Sequence, residues 1–330
     1  MSAYLLSPIF LISISYALGL ILTLEVRNLL LKRKLLDTPN QRSSHSTPVP
    51  RGGGLALLAI LIPGMLILSW AHHDLSHIGI ILGTILASAV SWLDDKKGVS
   101  ALKRLSLHIL AACIGSLSFT EDQTLFAGSL PFWADRTIMI IGWAWFMNLY
   151  NFMDGIDGIT CTESISLATG VCLLLAAIGL YDPFLGSLML ILTGACLGFL
   201  ALNWHPAKIF LGDVGSIPLG YILGFALLVI ALHGYLLSAL LLPLYYLADS
   251  GITLLKRALR REKLWEAHRQ HFYQKATRDG QHDRAVLWII ITNLGLASAA
   301  LTAVSYPLLG VLLAMALVAI LLWKMHKTCP

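Results

Sequence analysis

Apolar stretches long enough to cross a bilayer recur from one end of this chain to the other, and that repetition constrains the fold more than any single motif. A hydrocarbon core of ~30 Å needs about 20 consecutive apolar residues per helix, and in lipid only helices or closed barrels satisfy their own backbone hydrogen bonds. Candidate spans run over residues 4–25, 54–71, 77–93, 105–119, 137–151, 164–180, 185–202, 216–233, 235–255, 286–304 and 307–323. Of the 330 residues 57% are hydrophobic and only 12% charged, about half the ~25% of a soluble domain. The expected fold is all-α: a single polytopic membrane domain over residues 1–330 with about eleven transmembrane helices and no linker or internal repeat. The N-terminal stretch has neither a basic n-region nor a small-residue cleavage site, so it reads as a retained first helix.

Lys and Arg set the orientation. With the N-terminus outside, the inner loops hold six over 27–52, four over 94–104, Lys208, nine over 256–285, and Lys324 and Lys327 in a cytoplasmic C-terminal tail. These are 22 of the 23 in the chain, and only Arg136 falls outside. The net charge of +5 is therefore a positive-inside signature and gives no reason to invoke nucleic acid. The five cysteines, Cys113, Cys161, Cys172, Cys196 and Cys329, show no CxxC spacing. They read as small hydrophobes and predict neither a disulfide nor a zinc site.

Four polar clusters fall at inner helix ends or in inner loops. Asp94 and Asp95 end the third span in SWLDDKKG. Adjacent carboxylates at a membrane boundary are costly to leave unpaired, although Lys96 and Lys97 offer plain neutralisation. In NLYNFMDGIDG, Asn148, Asn151, Asp154 and Asp157 recur every three residues. Such a step turns a helical side chain by about −60°, so the first and last would face apart unless Gly155 and Gly158 let the backbone leave the helix. Asp213 lies between Gly212 and Gly215 in FLGDVGS, where it also suits a helix N-terminus. The longest inner loop carries His268, Arg269 and His271 in AHRQHFYQ, a cationic setting better suited to phosphate than to metal. Hard oxygen donors beside Arg and His fit a Mg²⁺ ion that keeps waters and shares substrate phosphates. Together the clusters read as a magnesium-dependent phosphoryl-transfer site.

RSSHSTPVPRGGG, WLDDKKG, NLYNFMDGIDG, FLGDVGS and HRQHFYQ occur in an order that resembles the polyprenyl-phosphate N-acetylhexosamine-1-phosphate transferase family, and most of all its bacterial O-antigen-initiating branch. The resemblance covers about residues 37 to 275. It implies transfer of a sugar-1-phosphate from a UDP-N-acetylhexosamine to undecaprenyl phosphate with release of UMP. The cofactor it implies is Mg²⁺, with Mn²⁺ as an alternative, and the place is the cytoplasmic face of the bacterial inner membrane, among membrane lipids. By position, Asn151 and Asp213 look like the metal ligands, and Asp94, Asp95 and Asp154 like catalytic residues. Arg42, Arg104, Asn148, Asp157, Phe210, His268, Arg269 and His271 look like substrate-binding residues, with Phe210 stacking on uracil and Asp157 as its hydrogen-bonding partner. A homodimer is left open. The chain departs from the family in DDKKG and in His108, which stands near a usual Gln. It also lacks the HHH run of the peptidoglycan-precursor branch, which favours GlcNAc or a 6-deoxy relative such as FucNAc or QuiNAc over a muramyl pentapeptide.

The rival from another class is a proton-coupled transporter. Carriers place ionisable groups near the midplane, whereas these sit toward one face. Another Mg-dependent membrane prenyl- or phosphotransferase is the remaining alternative.

Overall fold

A computed structural model describes residues 7–38, 47–263, 268–277 and 280–328. The chain runs α1 (Pro8–Lys32), β1 (Leu36–Asp37), β2 (Val49–Pro50), α2 (Gly54–Ala71), α3 (Ile78–Lys97), α4 (Ala101–Ser116), α5 (Phe132–Phe152), α6 (Ile159–Ala177), α7 (Pro183–Asn203) and α8 (Asp213–Ile230). It continues through α9 (Leu236–Leu241), α10 (Leu244–Leu259), α11 (Phe272–Ala276), α12 (His282–Ser305) and α13 (Pro307–Lys327). The protein is thus an all-α, multi-pass membrane protein. The short strands pair antiparallel, Leu36 with Pro50 and Asp37 with Val49. Large side chains such as Leu312, Met315 and Ile320 face outward, as lipid-facing helices require.

Helix α8 is the axle. Nearly every side chain from Val214 to Ile230 is buried, with α2, α3, α5 and α6 around it. Tyr221 shows how tightly it is held. Its ring stacks on Trp143 at 4.6 Å, Trp143 Nε1 donates to its carbonyl at 2.9 Å, and its hydroxyl donates to Ala111 O at 3.0 Å. A Cβ on Gly83 or Gly115 would overlap that hydroxyl. At the start of α8, a Cβ on Gly54 would lie 2.2 Å from Gly215 Cα, so α2 and α8 meet backbone to backbone.

Helix α1 packs on α7 by the same means. A Cβ on Gly194 would meet Ile12 O at 2.4 Å, and one on Gly198 would meet Tyr16 O at 2.4 Å. Without a hydrophobic drive between helices in lipid, small residues that let backbones approach supply the contact. Beyond this seam Arg27 Nε donates to Lys208 O at 3.2 Å, tying the end of α1 to the segment that follows α7.

Among the described residues eight helices are long and apolar enough to cross a membrane, against about eleven expected spans. Two differences have local causes. The chain runs from Asp213 to Leu241 as one apolar rod, bent at a π turn over Ala231–Tyr235 where Gly234 takes φ 91°, so no loop divides residues 233 and 235. The expected span 235–255 is instead broken near Pro243, whose missing N–H and ring interrupt helices. Helices α4 and α10 have 16 residues each, and α5 carries Asn148 and Asn151 in its last turns.

Candidate active site

The C-terminal end of α3 and the N-terminal end of α8 meet through their carboxylates. Asp95 accepts from the backbone N–H of Asp213 at 3.2 Å and of Val214 at 2.9 Å. It caps α8 from another helix and neutralises the unpaired donors there. Arg51 spans both acids, with Nε 3.0 Å from Asp95 and a terminal nitrogen 2.7 Å from Asp213. Burial alone would lower the Arg51 pKa, but Asp213 and Asp95 beside it outweigh this and hold it above its ordinary value. Arg104, in the first turn of α4, pairs with Asp94 and reaches Asp213 at 3.5 Å. Asp94 also accepts from Val99 N–H at 2.6 Å, which folds the α3–α4 turn back onto it.

Arg51 is held in place by backbone. Phe210 N–H donates to Pro50 O at 2.8 Å, and Gly52 and Gly53 donate to Phe210 O at 3.2 and 2.9 Å. Gly52 takes φ 112° and Gly212 φ 74°, conformations that suit glycine. This strand-like pairing sets the RGGG segment beside FLGD, so that Arg51 and Phe210 lie side by side. Arg51 enters the sequence analysis as an inner-loop charge and as part of RSSHSTPVPRGGG, with no role of its own. Its position directly before three glycines was the signal available.

The four regularly spaced polar residues go to four different neighbours. Asn148 Oδ1 meets His108 Nδ1 at 3.1 Å. Asn151 Nδ2 donates to Ser216 Oγ at 2.8 Å in the first turn of α8, which leaves its carbonyl oxygen as the prong that can serve a cation. Asp154 accepts from Thr160 Oγ1 at 2.6 Å. Loss of hydration raises its pKa to about 7, with Asp213 adding to the rise. Asp157 is buried, and its Oδ2 takes His205 Nδ1 at 2.7 Å, Ala207 N–H at 3.1 Å and His282 Nδ1 at 3.3 Å. Burial would raise Asp157, but the His282 and His205 hydrogen bonds outweigh it and hold the carboxyl below its ordinary value. The role at a donor base that the resemblance implies is therefore not carried by Oδ2. Gly158 takes φ 76°, as the turn requires. Gly155 serves differently: a Cβ there would lie 2.2 Å from Tyr273 Oη.

The histidine loop is held from beneath by a residue that sequence reasoning missed. Asp249 on α10 is fully buried. It accepts from His271 Nδ1 at 3.1 Å and from the N–H groups of Phe272 and Tyr273 at 3.0 and 3.1 Å. Tyr273 Oη in turn donates to Phe152 O at 3.0 Å, which docks the loop beside Asn151. His271 is thus buried and held by the loop's scaffold through its Nδ1. His268 is half-buried and stacks on His271 at 4.8 Å. Desolvation, with His271 and Arg257 nearby, lowers its pKa to about 4 and leaves it neutral near pH 7. Arg269 is half-buried beside it. Arg42 lies outside the described residues.

The hard donors fit Mg²⁺: a carboxylate at Asp213 and an amide oxygen at Asn151, with arginines near for phosphate. An apolar groove of about 560 Å³ opens alongside. Leu102, Leu105, Trp145, Phe152 and Leu254 line it, and Arg104 and Asn148 supply its polar groups.

Residues 77–231 match the family model "Glycosyl transferase family 4". The chain is 27% identical over 286 residues to a probable undecaprenyl-phosphate N-acetylglucosaminyl 1-phosphate transferase of Bacillus subtilis, covering 82% of this chain and 77% of the relative. It is 27% identical to a decaprenyl-phosphate N-acetylglucosaminephosphotransferase of Mycolicibacterium smegmatis, covering 83% and 77%. A phospho-N-acetylmuramoyl-pentapeptide-transferase of a Synechococcus strain is 36% identical, over 54% of this chain and 55% of the relative. Residues 77–231 of the chain thus resemble glycosyl transferase family 4, and the relatives that span about four fifths of the chain are polyprenyl-phosphate N-acetylglucosamine-1-phosphate transferases, which supports the polyprenyl-phosphate N-acetylhexosamine-1-phosphate transferase family.

Proposed function

We propose that this protein transfers an N-acetylhexosamine-1-phosphate from a UDP-sugar to undecaprenyl phosphate, on the cytoplasmic face of a bacterial inner membrane, to initiate O-antigen or a related glycan. One observation carries the reading: Arg104 belongs both to the apolar groove and to the Asp94–Asp213 ion-pair cluster. A lipid phosphate can rest its head on Arg104 with its chain along Leu102, Leu105 and Phe152. Its oxygen attacks the sugar-bearing phosphorus of the donor. The bond to the UMP oxygen breaks, and a lipid pyrophosphoryl sugar and UMP result. Mg²⁺ on Asp213 and Asn151 would supply charge stabilisation for the transferred group. Phe210 is the candidate for stacking on uracil, and Asp94 for receiving or orienting the acceptor phosphate, whose second pKa lies near ~6 by analogy with phosphoserine.

GlcNAc or a 6-deoxy N-acetylhexosamine is the preferred donor sugar, because the relatives named for N-acetylglucosamine extend over more of this chain than the muramyl-pentapeptide one. For topology, α4, α5 and α10 join the eight long helices as membrane-embedded segments, with the N-terminus outside and the ends carrying Asp95, Asn151 and Asp213 inside. The test is release of UMP from a panel of UDP-N-acetylhexosamines by purified protein given undecaprenyl phosphate and Mg²⁺. Lipid-dependent release with one sugar supports the proposal. Uptake of substrate by vesicles without any UMP would sink it in favour of a carrier.

A further inference from the structure

Asp157 sits where three segments far apart in sequence come together: the turn before α6, residues 204–212 after α7, and the first turn of α12. Its Oδ2 faces His205 Nδ1 at 2.7 Å and His282 Nδ1 at 3.3 Å. One ligand atom from each of the three residues lies within 4.8 Å of the others, and the two imidazole centroids are 4.7 Å apart.

Hydrogen bonding alone leaves His282 in conflict. The backbone N–H of Asp157 points at its Nδ1 at 3.4 Å, which asks for a lone pair there. The Oδ2 of Asp157, 3.3 Å from the same nitrogen, asks for a proton there. One nitrogen cannot meet both demands. The other ring nitrogen, Nε2, is buried and has no hydrogen-bond partner among the described residues. A cation would meet the carboxylate's demand without a proton on Nδ1: two neutral Nδ1 atoms and a carboxylate oxygen then turn their lone pairs toward one point.

We propose that Asp157, His205 and His282 form a binding site for a divalent transition-metal ion, Zn²⁺ by preference, distinct from the oxygen-rich Asp213 cluster. Two imidazoles and a carboxylate are a donor set that first-row transition ions accept, whereas Mg²⁺ favours all-oxygen coordination. Metal–ligand bonds of ~2.0–2.2 Å place tetrahedral ligand atoms roughly 3.4 Å apart, so modest side-chain shifts complete the site. Ala207 N–H already holds the ligating carboxylate oxygen, as outer hydrogen bonds do around bound metals. The side chains of Asp157 and His282 are 8% and 2% exposed, and that of His205 is 31% exposed, so the remaining coordination position opens beside His205. The ion would staple the three segments together. One of them leads from His205 to Phe210 and Asp213, and another carries Asp154. The inference does not depend on the transferase reading.

The test uses the full-length protein in detergent, stripped with a chelator and then equilibrated with Zn²⁺ or Co²⁺ in excess Mg²⁺. Wild type is expected to keep about one ion per chain that Mg²⁺ does not displace, and the Co²⁺ form to show visible d–d absorption from nitrogen ligation. His205→Gln and His282→Gln keep polar side chains and should lower occupancy by at least about tenfold, while Asp213→Asn keeps it. Wild type that retains neither ion against Mg²⁺ overturns the proposal, and that measurement needs no folded variant. Undiminished occupancy in both histidine variants overturns it too, as does loss of the ion in Asp213→Asn, which would move the site to the other cluster.

Discussion

Asp213 and Asp249 stand at the same end of the bundle and are both held by cationic or N–H partners, yet their surroundings differ in kind. Around Asp213 the partners are Arg51 and Arg104, whose side chains are 42% and 29% exposed, long enough to swing aside for an arriving ion. Around Asp249 the partners are two backbone N–H groups, a buried imidazole and the hydroxyls of Tyr245 and Thr253 on its own helix, all of them buried or fixed to the backbone. A carboxylate with exchangeable partners can do chemistry, and one with fixed partners builds scaffold. The contrast shows why sequence position alone does not separate a reacting aspartate from a structural one.

Substituting each residue would break the comparison most directly. Asp213→Asn should lower turnover by about a thousandfold or more, ~4 kcal/mol on the barrier, while the melting transition in detergent stays near wild type. Comparable turnover at limiting Mg²⁺ would remove Asp213 from the metal site. Asp249→Ala should do the reverse first: it strands buried donors and should destabilise the protein by about 3 kcal/mol, seen as a lowered unfolding midpoint. An unchanged midpoint would show that the loop does not depend on that carboxylate.

A gentler change sharpens the first half of the contrast. Arg51 uses two different prongs of its guanidinium, one for Asp95 and one for Asp213. Lysine keeps the charge but offers a single point donor. Arg51→Lys should therefore cost about tenfold in kcat/KM, ~1.4 kcal/mol. Wild-type kinetics would mean that charge alone suffices.

The smallest effect is on stability against pH. Folded Asp154 titrates at about 7, against an ordinary 3.8. Between those values the unfolded chain has released a proton that the folded chain keeps, so stability falls as pH rises through the window and levels off above it. Asp154→Asn should flatten that slope in thermal melts taken without Mg²⁺. A slope as steep as that of wild type would assign it to other groups.

The membrane architecture was legible because lipid demands long apolar runs and the chain supplies them. The break at Gly234 and Pro243 was legible in principle, but the apolar run continues across it and hydropathy conceals the bend. Asp94, Asp95, Asn151 and Asp213 stood out as polar residues at the ends of apolar segments, and the structure brings them around the start of α8. Arg51 did not stand out, because a basic residue in an inner loop already had an explanation. Asp249, His205 and His282 were invisible for a different reason. Each meets a deciding partner 22 to 125 positions away, and only the fold makes them neighbours.

The seam between α1 and α7 has a mechanical consequence. Only Leu11, Ser15, Gly19, Thr23 and Leu30 of α1 are buried, so this helix is held less by area than by fit, at Gly194 and Gly198. Farther along, its Arg27 grips Lys208, two residues before Phe210. The glycines therefore act as a fulcrum. A single methyl group added at Gly194 has no room against Ile12 O and must tilt or displace α1, and the far arm of that lever ends on the segment that carries the aromatic ring to the site.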